Sequence, residues 1–269
     1  MPHSIGDLPS ALENFDQIAR RLDGRRLAVF LDFDGTLAPI AERPEKARLA
    51  PAMRAAVADL AAVHNTAIIS GRGREDVRTL VGLDALTYAG DHGFDISFPD
   101  GGIAHNIDCE PFHAVIGDIT ERLEKDLAAI SGAFAEPKWA SVAVHYRQTP
   151  AAETAAVETA VKAVIADFDG LRLTPGKMVY EIQPDFDWNK GKAVQWLLEK
   201  TGLSGPGVVP VYIGDDVTDE DAFAAIAGSG IGIFVDDQEN SGPDRTSAAN
   251  YKLRNPDEVE LLLRKLAAC

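Results

Sequence analysis

The sequence predicts an α/β fold: a parallel sheet flanked by helices, into which a smaller α+β unit is inserted. Three observations lead there. Apolar runs at 27–31 (LAVFL), 66–70 (TAIIS), 208–213 (VVPVYI) and 230–235 (GIGIFV) are continuous, as strands buried on both faces are. Helical patterns separate these runs. Between 109 and 184 the pattern changes to half-exposed strands beside two long helices, the mark of an antiparallel block. The expected organisation is a core of 1–108 and 185–269 with an inserted unit at 109–184.

The elements follow in order. Leu12, Phe15, Ile18, Ala19 and Leu22 fall at helical spacing, predicting an amphipathic helix over 10–22. The first strand, 27–31, runs into Asp32, Asp34, Gly35 and Thr36. Pro39 and Pro44 make 38–49 irregular, and Pro51 suits the first position of a helix through 63. The second strand, 66–70, ends in Ser70-Gly71-Arg72, before a short helix over 74–81. A third strand, 86–90, runs into Asp91-His92-Gly93-Phe94-Asp95. Pro99-Asp100-Gly101-Gly102 predicts a hairpin turn between 96–98 and 103–105.

In the inserted unit a helix is expected over 111–130, a strand over 140–147 and a helix over 151–168. Strands at 171–174 and 177–182 are expected to turn at Pro175-Gly176. The α/β rhythm resumes where Asp187 or Asn189 can cap a helix through about 200. The strand 208–213 ends in GDDVTDED at 214–221, followed by helix over 222–227, the strand 230–235 and a closing helix over 257–267.

The bulk numbers exclude some functions. Hydrophobic residues at 46% and charged residues at 25% favour a packed fold over disorder. A net charge of -16 argues against nucleic acid and anionic membranes as partners, which call for basic patches. No stretch approaches the roughly 20 apolar residues of a membrane span, and no basic-then-apolar leader opens the chain. Cys109 and Cys269 have no metal or disulfide spacing, which fits a reducing cytoplasm.

Polar residues gather at the ends of these elements: Asp32 and Asp34, Ser70, Lys190, and Asp215, Asp216 and Asp219. Parallel strands present their C-terminal ends at one edge, where ligands bind in open α/β sheets. Residues two apart in a strand share a side, so Asp32 and Asp34 face one point unless the turn re-aims the second. An isolated Asp-Gly is usually only a turn; its partners elsewhere make that reading hard to keep here. Several carboxylates in one cleft need compensating charge, and an oxygen-only set without His or Cys selects a hard cation such as Mg²⁺. A lysine and the hydroxyls of Ser70 and Thr36 complete an inventory suited to a dianionic phosphate. Glu220 and Asp221 need no function, since acidic residues favour a helix's first turn.

DFDGT at 32–36, ISGR at 69–72, the NKG lysine at 190 and GDDVTDED at 214–221 resemble, in order, the four motifs of haloacid dehalogenase superfamily phosphatases. The insertion resembles that superfamily's larger mobile cap. The resemblance implies a Rossmann-like core with a parallel sheet, plus an inserted α+β cap whose closure gates the reaction. GDDVTDEDAF, GDHG at 90–93 and GKMVYEI at 176–182 resemble more specifically the trehalose-6-phosphate phosphatases.

By that resemblance Asp32 is the nucleophile, Asp34 the acid and base, Ser70 a phosphoryl donor and Lys190 its counter-charge. Mg²⁺ would be held by Asp32, the Asp34 carbonyl and Asp215, with Asp216 behind and Asp219 holding a metal-bound water or the loop. Thr36, Arg72, His92, Lys138, His145, Arg147, Lys177 and Glu181 would bind substrate. A lone Lys or Arg on a strand is more often a solvated face. Glu181, in an apolar run, would be costly if unpaired. Many family members carry a small residue and Glu after the HG pair, where this chain has Phe94-Asp95; that shortens any contact to a sugar by one methylene.

The implied reaction is Mg²⁺-dependent hydrolysis of trehalose 6-phosphate through an aspartyl-phosphate, by a monomer whose partner is a small sugar phosphate. Sucrose 6-phosphate, a glucosylglycerol phosphate, a phosphomutase reaction and a non-catalytic sensor remain as alternatives.

Overall fold

The computed structural model describes residues 3–105, 110–176, 178–185, 187–236 and 245–269. The chain divides into two compact units. Met1–Ala41, Lys46–Ala104 and Trp188–Cys269 form the first, and Glu42–Glu45 with His105–Asp187 the second. The boundary expected at Cys109 lies outside the described residues.

The chain opens with α1 (Phe15–Leu22), β1 (Arg26–Leu31), α2 (Pro51–Val63), β2 (Asn65–Ile69), α3 (Arg74–Val81), β3 (Thr87–Gly90), β4 (Asp95–Ser97) and β5 (Ile103–His105). It continues through α4 (Glu110–Leu127), β6 (Phe134–Pro137), β7 (Val142–His145), α5 (Thr154–Asp167), β8 (Leu171–Gly176) and β9 (Val179–Pro184). It closes with α6 (Lys190–Lys200), β10 (Val208–Gly214), α7 (Val217–Ile226), β11 (Ile231–Val235), β12 (Tyr251–Leu253) and α8 (Pro256–Ala267).

The sheet of the first unit has the order β12-β11-β10-β1-β2-β3-β4-β5. From β12 to β3 the strands are parallel, and β4 returns antiparallel to β3. The apolar run of β1 is continuous because both faces are covered. Leu27, Val29 and Leu31 pack with α1, α2, α3 and α8, whereas Ala28 and Phe30 pack with α6 and α7. Parallel pairing therefore carries the C-terminal ends of β1, β2, β3 and β10 to one edge.

Among the boundaries that differ from the sequence reading, two have clear local reasons. α1 starts at Phe15, because Ser10 bridges Lys252 and the Ala11 N–H donates to the Lys252 carbonyl, drawing that segment beside β12. α7 starts at Val217, because Asp216 caps it. Edge strand β12 went unforeseen.

In the second unit α4 and α5 cover an antiparallel sheet of order β6-β7-β9-β8. Ile119, Leu123, Val157 and Val161 meet Val142, Val144 and Ile182 in its core. β6 had no clear signal in the sequence. Pro175 and Gly176 are not the turn: they pair with Tyr180 and Val179 as the end of β8. β8 is an edge strand, where the missing N–H of proline is tolerated. The turn passes instead through Met178, which has φ 62. Among the described residues no helix is long and apolar enough to cross a membrane.

Candidate active site

Asp32 continues the ladder of β1, its N–H donating to the Ile213 carbonyl at 2.9 Å. The chain then closes tightly, with the Gly35 N–H on the Ala38 carbonyl at 2.7 Å. This turn re-aims the second carboxylate. Asp32 is buried, at 5% exposure, while the Asp34 side chain is 36% exposed and turned to Arg72. Gly35 has φ 86, and a Cβ there would stand 2.2 Å from Asp215 Oδ2. Only glycine lets the Asp215 carboxylate lie against this turn.

Lys190 joins the group from the start of α6. A cation in a helix's first turn opposes the helix dipole, so its position needs another cause. Asn189 caps the helix by accepting from the Lys192 N–H, and Lys190 is buried with its Nζ between two carboxylates. It lies 2.8 Å from Asp32 Oδ1 and 2.7 Å from Asp219 Oδ1.

Asp219 is the most engaged of these acids. Its Oδ1 also accepts from the Tyr212 hydroxyl at 2.7 Å, and its Oδ2 from the N–H groups of Asp215 and Asp216, each at 2.9 Å. The last contact closes a capping box with Asp216 at the start of α7. Tyr212 was not singled out in the sequence. A tyrosine in an aliphatic buried strand that ends in acids was the available signal, since its hydroxyl must find a partner.

Ligating oxygens of Asp32, Asp215 and Asp219 lie within 4.8 Å of one another. Burial, then the neighbouring Asp219 and Asp215 charges, push the Asp32 carboxyl well above its usual range despite Lys190. Burial opposes the charge on Lys190, but Asp219 and Asp32 outweigh it and hold the ammonium firmly protonated. Asp219 shows the converse: burial would raise it, but Lys190, the Asp216 N–H and the Tyr212 hydroxyl together keep it below the usual carboxylate range. Three buried carboxylates thus share one ammonium, a deficit of positive charge that a divalent cation would fill.

The neighbouring loops bring further candidates to this edge. Ser70 is buried, its Oγ accepting from the Arg72 N–H at 3.2 Å. Thr36 is buried and its hydroxyl has no hydrogen-bond partner among the described residues. The Arg72 guanidinium grips Asp34 through Nε at 2.6 Å and Nη2 at 2.8 Å. His92 lies over Gly71 in a loop where Asp91 and His92 have φ 51 and 56. Backbone bonds from Asp91 to Arg72 and from His92 to Ser70 hold that strained conformation. Asp95 is buried and engaged by Arg74 at 2.8 Å.

The remaining candidates belong to the second unit. Glu181 is buried, but it is paired with Lys138 and accepts from Ser141 Oγ at 2.8 Å, so the cost foreseen for an unpaired charge does not arise. His145 shares a 2.6 Å hydrogen bond with Glu136 and stacks on Phe134. Arg147 is exposed in the turn after β7. Lys177 lies outside the described residues. Glu220, read as a helix-end acid, accepts from the Ala248 N–H at 2.8 Å.

The parallel sheet with a carboxylate–lysine centre at its C-terminal edge is the arrangement that the resemblance to haloacid dehalogenase superfamily phosphatases implies, and solved structures share the fold. The C-terminal domain of the Candida albicans trehalose-6-phosphate phosphatase superposes with a TM-score of 0.80 at 19% identity, over 97% of this chain and 98% of that one. The profile of the trehalose-phosphatase family matches residues 30–257, and the chain belongs to that family. A rice protein named probable trehalose-phosphate phosphatase 4 is 42% identical over 95% of this chain and 70% of its own length. A Mycobacterium tuberculosis protein named as an uncharacterized glycosyl hydrolase is 43% identical over 98% of this chain. The chain spans only 20% of that much longer relative.

Proposed function

We propose that this chain hydrolyses trehalose 6-phosphate to trehalose and phosphate through an aspartyl-phosphate. The observation that carries the reading is the buried Asp32–Lys190–Asp219 array beside Asp215, in a chain of the trehalose-phosphatase family. Lys190 engages Asp32 Oδ1, so Oδ2 is assigned the attack on phosphorus. The bond from phosphorus to the sugar oxygen breaks as Asp34 gives that oxygen a proton. Asp34 then takes a proton from the water that attacks the acyl phosphate, which frees Asp32 and orthophosphate. Ser70 and Thr36 supply neutral donors to the phosphoryl oxygens. Lys190 offsets their charge.

The residues present fit Mg²⁺. The donors are all oxygen, and the absent Cβ of Gly35 lets the Asp215 carboxylate lie against the Asp32–Asp34 turn. Asp32, Asp215 and the Asp34 carbonyl would hold the ion. When bound it supplies charge neutralisation between an anionic nucleophile and an anionic substrate. Asp219, whose four hydrogen bonds are named above, supports Lys190 and the 215–216 turn. Sugar hydroxyls would be read by polar residues of the second unit, Lys138 and Glu181 foremost, with His145, Arg147 and Lys177.

The test is phosphate release from a panel of sugar phosphates, with and without Mg²⁺, for the native chain and Asp32→Asn. Trehalose 6-phosphate should give the highest kcat/KM, above sucrose 6-phosphate and glucosylglycerol phosphate. Activity should vanish on chelation, and fall by on the order of 10⁴ or more in the variant, the scale of losing a nucleophile. Full activity in Asp32→Asn, checked for deamidation, defeats the mechanism. A better substrate within the panel corrects the specificity.

A further inference from the structure

Asp34 is turned out of the buried array, and among the described residues Arg72 supplies its side-chain hydrogen bonds. Two parallel N–H groups cover both carboxylate oxygens, at 2.6 and 2.8 Å. Such a fork fixes the plane of a carboxylate as well as its position. The guanidinium is itself held. Its Nη1 donates to Asp76 Oδ2 at 2.7 Å, its carbon stands 5.4 Å from the centre of the Phe33 ring, and its side chain is 9% exposed. The Arg72 N–H also ties to Ser70 Oγ. Desolvation alone would disfavour so buried a cation; the hydrogen bonds and charges of Asp34 and Asp76 outweigh it and hold the guanidinium charged.

A residue meant to meet substrate would present its donors to the cleft. Arg72 instead directs Nε, Nη1 and Nη2 at carboxylates of its own chain. Asp34, by contrast, lies in a turn and is one-third exposed, so without the fork its carboxyl would be free to rotate. The orientation of the group that meets the leaving oxygen is thus set by a neighbour on a different strand end.

We propose that Arg72 is a positioning residue that fixes the plane and direction of the Asp34 carboxyl toward the leaving oxygen, with Asp76 anchoring the guanidinium from its other side. The inference rests on the reading of Asp34 as the acid of a phosphomonoester hydrolase. Charge alone is not what Arg72 supplies, since a lysine carries the same charge but cannot form the planar fork.

The test compares leaving groups. Trehalose 6-phosphate departs as a sugar alkoxide and needs a proton; p-nitrophenyl phosphate departs as a stabilised phenolate and does not. In Arg72→Lys, the first-turnover release of trehalose from trehalose 6-phosphate should slow about 10- to 100-fold, part of the roughly 10²–10⁴ that a placed acid contributes. For p-nitrophenyl phosphate the first-turnover release of phenolate should stay within about twofold, since only breakdown of the acyl phosphate calls on Asp34 there, and KM should hold for both. Asp76→Asn should move the ratio of the two first-turnover rates in the same direction by about threefold, the scale of one half-exposed ion pair.

Equal losses on the two substrates overturn the proposal, because they mark a damaged fold. A raised KM with unchanged first-turnover rates overturns it too, because it marks a substrate contact. If Arg72→Lys does not fold, the ratio in Asp76→Asn decides. If the native chain releases no phosphate from trehalose 6-phosphate, the substrate reading fails on its own. Glucose 6-phosphate against p-nitrophenyl phosphate then still decides the role of Arg72.

Discussion

Three carboxylates come within reach of one ion, yet only two have oxygens to give it, and Asp219→Asn separates the two roles. A carboxylate offers about four lone-pair sites. Asp219 fills them with Lys190, Tyr212 and the N–H groups of Asp215 and Asp216. An amide keeps one acceptor oxygen and makes the other position a donor. Whichever way it turns, an NH₂ group faces either Lys190 and Tyr212 or two backbone N–H groups.

Removing one member of a buried ion pair costs about 3–5 kcal/mol, and the low end applies because Lys190 keeps Asp32. At about 2–4 °C per kcal/mol for a chain of this size, the melting point should drop by about 6–12 °C in metal-free buffer. The pH dependence has a definite sign. Burial is offset by Lys190, the Asp216 N–H and the Tyr212 hydroxyl together, which depress the Asp219 pKa, so the carboxylate stabilises the fold above its unfolded pKa. That contribution is lost as pH falls through the folded value. The gap between native chain and variant should be full at neutral pH and close in acid, below the ordinary carboxylate range. Calorimetry across pH measures it. A Mg²⁺ titration of the same variant should show binding weakened by about 10- to 100-fold, the scale of a lost supporting contact, whereas Asp215→Asn should abolish it. Equal melting points at neutral pH, or loss of Mg²⁺ binding in Asp219→Asn matching Asp215→Asn, would refute the division of labour.

Two further outcomes follow from the packing. Gly35→Ala places a Cβ 2.2 Å from Asp215 Oδ2 at a positive φ, so it should destabilise by about 1–3 kcal/mol and weaken Mg²⁺ binding; denaturant titration and calorimetry read both, and a neutral result on both counts against the cradle. Glu181→Ala leaves Lys138 buried without its main partner and should cost about 3–5 kcal/mol, while the double change Lys138→Met with Glu181→Leu should be nearly neutral in stability. If the pair also reads the sugar, KM for trehalose 6-phosphate rises in that double variant although its melting point does not fall.

The placing of Asp32, Ser70 and Asp215 along one sheet edge was legible because parallel strands carry the ends of their apolar runs to the same side. Lys190 was legible as the lysine of the NKG run at the start of a helix. The direction of Asp34 was not legible. Strand alternation places it beside Asp32, but it belongs to a turn, and turn geometry is set by Gly35 and by the Phe33 carbonyl accepting from the Leu37 and Ala38 N–H groups. Asp216 and Asp219 look alike in a run of acids; the three-residue register of a capping box, fixed only once α7 begins at Val217, divides them. β6 escaped because FAEP lacks alternation, and Pro175 misled because a proline reads as a turn unless the strand is known to lie at an edge.

The surroundings of the centre also decide what must bind first. Lys190 lies between Asp32 and Asp219, Arg72 between Asp34 and Asp76, and Arg74 is held by Asp95. Each of these cations already faces a carboxylate of its own chain, in a protein of net charge -16. A dianionic phosphate approaching this edge meets no surplus of positive charge from them. Under the proposed reading, an ion held by Asp32 and Asp215 supplies that surplus, and phosphate affinity becomes conditional on it. Inorganic phosphate should therefore raise the melting point in the presence of Mg²⁺ and leave it unchanged in its absence. By linkage, phosphate should tighten Mg²⁺ by the same factor that Mg²⁺ tightens phosphate. A phosphate shift of equal size with and without Mg²⁺ would place the missing charge on the protein itself, and the pairing of Lys190 or Arg72 would then have to break on binding.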